Sequence, residues 1–129
     1  MSLFTNESYN GQKIQNVDHI TVNLVAASTA QTIFVAPTDY KVVAAHVSFG
    51  TASTSGTVNV EILPQGTAKG SGALVFGTGL ALSGTANTTV TLAAPSNKIL
   101  VAGQRLAIVL GGTLTGLVDG YLQLELAKV

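Results

Sequence analysis

Apolar and polar residues alternate with a period of two along much of this 129-residue chain. Leu122, Leu124 and Leu126 alternate with Gln123 and Glu125. Ile20, Val22 and Leu24 alternate with Thr21 and Asn23, and Val58, Val60 and Ile62 with Asn59 and Glu61. A period of two gives a strand one buried and one wet face. The pattern predicts strands over about 18–26, 31–36, 40–49, 57–63, 87–92, 105–111 and 120–128. Pro37, Thr38 and Asp39 supply a turn, and Pro64 ends a strand. In the strand over 40–49, Val43, Ala45, Val47 and Phe49 share one face, while Val42, Ala44 and His46 share the other. That second face is also fairly apolar, which suits a central strand or a subunit contact. Residues 50–56 read as a polar hairpin loop and 65–72 as a flexible glycine-rich connection. Over 73–82, Gly77 and Gly79 oppose a helix, leaving a short strand or irregular chain. The strands over 105–111 and 120–128 read as the last pair, though 112–119 is too long for a two-residue turn. Short strands with turn signals roughly every 8–12 residues predict an all-β fold, a β-sandwich of jelly-roll type.

The first 17 residues break the pattern. Asn6, Asn10, Gln12, Gln15 and Asn16 crowd there with few apolar residues, so 1–17 reads as an extended N-terminal arm and 18–129 as one sandwich domain. A chain of this length buries roughly two-thirds of its unfolded surface and needs no staple. It has no cysteine, hence no disulfide and no thiolate metal site. The most apolar run, 99–110, is broken by Gln104 and Arg105 and falls short of the roughly 18 residues of a membrane span. The first residues lack the basic start and apolar stretch of a signal peptide.

Charge narrows the function. Charged residues make up 9% of the chain, against about 25% in ordinary soluble domains, and six Lys and Arg balance six Asp and Glu. So few cations cannot neutralise many phosphates, so nucleic acid is not an expected partner. Nor is there a polybasic patch for a membrane surface. A weakly charged surface near neutrality favours association, and the expected state is an oligomer.

The residues offer little chemistry. His19 and His46 lie on different strands, without the spacing of a zinc site. Asp18 beside His19 could orient a base, but a structural histidine is the plainer reading. Glu61 and Glu125 lie mid-strand on expected outer faces, where two solvated carboxylates are a simpler account than a glycosidase pair. No calcium loop, nucleotide-binding glycine motif or nucleophile elbow occurs. Asn6-Glu7-Ser8 and Asn87-Thr88-Thr89 match the glycosylation triplet, a pattern frequent by chance in a Thr- and Ser-rich chain. With no tryptophan and three tyrosines, Tyr9, Tyr40 and Tyr121, platforms for stacking sugars or bases are scarce. The expectation is a protein that is not an enzyme and has no cofactor or metal.

The segments Leu80-Ala81-Leu82-Ser83-Gly84-Thr85-Ala86-Asn87-Thr88, Leu100-Val101-Ala102-Gly103-Gln104-Arg105-Leu106-Ala107-Ile108 and Gly112-Thr113-Leu114-Thr115-Gly116, followed by the alternating final strand, resemble small structural proteins of tailed bacteriophage virions, above all head decoration (cement) proteins. The resemblance covers about the last 50 residues and carries no catalytic motif. It implies a β-sandwich, commonly trimeric, that sits outside a capsid and bridges major capsid proteins. On that expectation Phe4, Tyr9 and Ile14 anchor the arm on the capsid by strand addition. Val42, Ala44 and His46 form the subunit-facing strand, and the protein is found on the virion exterior. The alternative is a tail or fibre module that binds a host-surface glycan.

Overall fold

Leu122, Leu124 and Leu126 are fully buried, while Tyr121, Gln123 and Glu125 face the other way. That alternation repeats across two stacked layers. The computed structural model describes residues 8–9, 12–13, 17–94 and 99–129, and all regular structure among them is β. The strands are β1 (Ser8–Tyr9), β2 (Gln12–Lys13), β3 (Val17–Leu24), β4 (Thr32–Val35), β5 (Tyr40–Ser48) and β6 (Thr57–Leu63). They continue as β7 (Ala73–Leu74), β8 (Leu80–Ala81), β9 (Val90–Ala93), β10 (Ile99–Leu100), β11 (Arg105–Gly111) and β12 (Gly120–Lys128).

The first sheet runs β3–β12–β5, and β9 and β10 share the far edge of β5. The second runs β4–β11–β6, and β7 and β8 share the far edge of β6. Every pairing is antiparallel. Val22, Leu24, Val47, Leu122, Leu124 and Leu126 of one sheet meet Val58, Val60, Ile62, Leu106 and Ile108 of the other in one core. The protein is therefore an antiparallel β-sandwich. If β7 with β8 and β9 with β10 count as two interrupted strands, eight strands pair first with last and so on inward. We read that order as a long hairpin rolled on itself, a jelly-roll winding.

Two expectations about connections change. β11 and β12 do not pair with each other: β11 lies between β4 and β6, and β12 between β3 and β5. Their connection spans the gap of about 10 Å between stacked sheets, which a tight turn cannot. Residues 50–56 likewise arch from the first sheet to the second instead of closing a hairpin. The two arches zip together. Ser55 N donates to Thr113 O and Thr54 N to Thr115 O, both at 3.0 Å, and Thr51 bridges Val118. Gly112 has φ +66°, and a Cβ there would collide with the Ser55 carbonyl, so this crossing needs glycine.

β5 is bulged. Its register on β12 shifts so that Leu126 faces Val42 and Glu125 faces Ala44, leaving Val43 as an extra residue. Val42 therefore turns into the core at 3% exposure, and Val43 turns out at 37%. This reverses the face assignment of both residues. Val42, expected among the subunit-facing residues, packs inside its own chain. The arm behaves differently from a single extended run where it is described: β1 and β2 pair with each other, with Asn10-Gly11, a favoured hairpin dipeptide, between them in sequence.

Candidate interaction face

The two outward faces of the sandwich differ. On the second sheet, Leu63, Glu61 and Ala107 are buried at 0%, 1% and 0% exposure yet lie outside the core between the sheets. The glycine-rich loop 64–72 lies against Glu61 and Leu63. Glu61 Oε2 accepts the Gly70 N–H and Oε1 the Gly72 N–H, each at 2.8 Å. Arg105 donates to the Thr67 carbonyl at 2.6 Å, and Lys69 reaches the Ala30 carbonyl at 3.4 Å. Glu61 is therefore not the solvated strand residue expected, being buried at 1% exposure. Glu61 and Glu125 belong to opposite sheets, and Glu61 is spent on backbone donors.

Among the described residues no loop covers the middle rows of the first sheet, although its outward Ala127 and Ala44 are buried. Strand register sets its outward residues in rows: His19, Glu125 and Ala44; Thr21, Gln123, His46 and Thr91; Asn23, Tyr121 and Ser48. His19 Nε2 lies 3.6 Å and His46 Nε2 3.3 Å from Glu125 Oε1. His46 Nδ1 meets Thr91 Oγ1 at 2.8 Å. With Nε2–H turned to the carboxylate, Nδ1 accepts the threonine hydroxyl. A polar line thus crosses β3, β12, β5 and β9. The carboxylate beside His19 is Glu125 and not the adjacent Asp18. Because β12 lies between β3 and β5, Glu125 separates the imidazoles. Among the described residues no group of three His, Cys, Asp or Glu is placed to hold a metal ion.

Beside this face, among the described residues, β3 pairs only with β12 and β4 only with β11, so each sheet ends there in an edge with no described partner, both on the same side. A groove lined by Ile20, Val22, Asn23, Gln31 and Ile33 runs between them. β3 has neither proline nor lysine, the usual guards of an exposed edge.

Of the expected contact residues, Ala44 and His46 lie on the open face, Ala44 at 8% exposure and His46 half-buried. Val42 does not. Phe4 and Ile14 lie outside the described residues, and Tyr9 falls in β1. The alternation of β12 made the outward direction of Gln123 and Glu125 legible, but the His19–Glu125–His46 line joins residues far apart in sequence and left no local signal.

No protein-family model matches the chain, and no curated protein matches it. Among solved structures it is similar to a chain of the disulfide-linked pili of Bacillus endospore appendages, with a TM-score of 0.46, 17% identity, and coverage of 97% of this chain and 99% of that one. It is also similar to a chain of infectious bursal disease virus, Gx strain, with a TM-score of 0.40 and 15% identity; 88% of this chain aligns with 32% of that one. Likeness at this level carries no argument about function, and this chain has no cysteine for disulfide linkage.

Proposed function

We propose that this chain is a structural virion protein that decorates a bacteriophage capsid, bridges major capsid proteins from outside, and acts by contact and not by catalysis. The observation that carries the reading is the asymmetry of the sandwich. One outward face is covered over Glu61 and Leu63 by the chain's own loop, while the middle rows of the other, with the adjoining β3 edge, have no such cover among the described residues. A stiff, weakly charged scaffold with one open face and one open edge suits repeated contact with a shell. Strand addition along β3 supplies main-chain hydrogen bonds with little demand on side chains. Self-association, most simply as a trimer, uses the face carrying Ala44 and His46, and the arm carrying Phe4, Tyr9 and Ile14 reaches the capsid.

Imaging tailed-phage particles that carry a tagged copy tests this. Many symmetric copies on the head are expected; copies confined to the tail overturn it in favour of a fibre module. Removal of residues 1–16, sparing Val17 because it pairs with Ala127, is expected to abolish head binding while the fold persists. Full binding by the shortened chain removes the arm from the proposal.

A further inference from the structure

We infer that the open face carries a subsite for one neutral sugar ring, centred on Tyr121. This does not rest on the capsid reading, but it competes with self-association through the same face, because a subunit seated on His46 would cover the hollow. The regular ladder between β5 and β9 stops at Val47 and Val90, although Asn87 N still donates to Phe49 O at 2.8 Å just beyond. Where the ladder stops, a hollow of about 150 Å³ is lined by His46, Val47, Ser48, Thr89, Tyr121 and Gln123.

The lining defines the ligand. Tyr121 is 38% exposed and supplies the phenol ring of the hollow, beside the His46 imidazole. The hydroxyls of Ser48 and Thr89 and the amide of Gln123 offer both donors and acceptors. His46 is oriented before any ligand arrives, by Glu125 at 3.3 Å and Thr91 at 2.8 Å. No Lys or Arg lines the hollow, so a phosphate or carboxylate finds no counter-charge. An apolar ligand would strand the polar lining without partners. A polyhydroxyl ring, apolar on one side and hydrogen-bonding at its rim, fits an amphipathic aromatic beside an amide and two hydroxyls. The volume lies below the roughly 300–1,000 Å³ of drug-sized sites. It therefore takes a single ring.

The test is an amide chemical-shift titration of the intact chain with glucose, galactose, N-acetylglucosamine and their short oligomers, with glucose 6-phosphate as the anionic comparison. Saturable shifts confined to residues 46–48, 89–91 and 121–123 are expected with at least one neutral sugar. Tyr121→Ala is expected to weaken binding about ten-fold and Tyr121→Phe to retain most of it. Unchanged spectra elsewhere in both variants show the fold intact. Absence of saturable shifts with every neutral sugar, equal binding by Tyr121→Ala, or tighter binding of the phosphate would overturn the subsite. Decoration of heads without sugar binding would remove this inference and leave the capsid reading standing.

Discussion

Glu61 shows how far one side chain can depart from its local pattern. In sequence it is an outward polar residue of an alternating strand; in the fold its carboxylate is the tether of the 64–72 loop. Glu61→Ala leaves two backbone donors without their acceptor. Each unmet buried donor costs about 1–3 kcal/mol, and because both glycines retain some exposure the expected loss is about 2 kcal/mol. Urea unfolding measures it, and proteolysis within 64–72 should accelerate in parallel. Tyr40 is a second case. Burial first, then the hydrogen bond to Asp18 and its charge, hold the phenol above its ordinary value of 10.0. The folded state thus favours the neutral phenol. Its contribution is fully present below pH 10 and is lost as pH rises through the elevated folded value. Unfolding curves across that alkaline window should show stability falling in the native chain, with a shallower fall in Tyr40→Phe.

At the scale of elements, β5 decides the most. A two-residue period runs through it in sequence, but the bulge at Val43 breaks the period in space and carries Val42 into the core. Pairing register belongs to two strands at once, so the sequence of one cannot disclose it. Deleting Val43 should remove the bulge and leave Val42 opposite Leu126 and Lys41 opposite Ala127, so the core face is kept and a cooperative thermal transition persists. Val43→Thr, at a position 37% exposed, should shift stability by less than about 0.5 kcal/mol. The stretch 73–82 was ambiguous for a physical reason: β7 and β8 flank chain that leaves the ladder. There the buried Asn59 side chain replaces strand pairing, donating to Phe76 O at 2.8 Å and accepting from Phe76 N at 3.3 Å.

For the whole molecule, the unequal faces predict where contacts form. Thr21→Lys and Gln123→Lys place cations on the open face and beside the β3 edge. They should weaken self-association in sedimentation without lowering the melting temperature. A cation at Gln65, in the loop over the sealed face, should leave association unchanged. Because six cations balance six anions, association of the native chain should vary little between about 0.05 and 0.5 M salt.

The amino-acid sequence by itself determined the class of fold, the bounds of the longer strands from β5 and β6 to β11 and β12, and the poverty of charge, since these follow from local period and composition. Tertiary structure alone decided which strands are neighbours, where β5 bulges, which outward face is sealed, and that His19, Glu125 and His46 stand in line. Those features arise from contacts between residues distant in the chain. A period of two tells a strand that it has an inside, but not which strand will lie beside it or what will cover its outside.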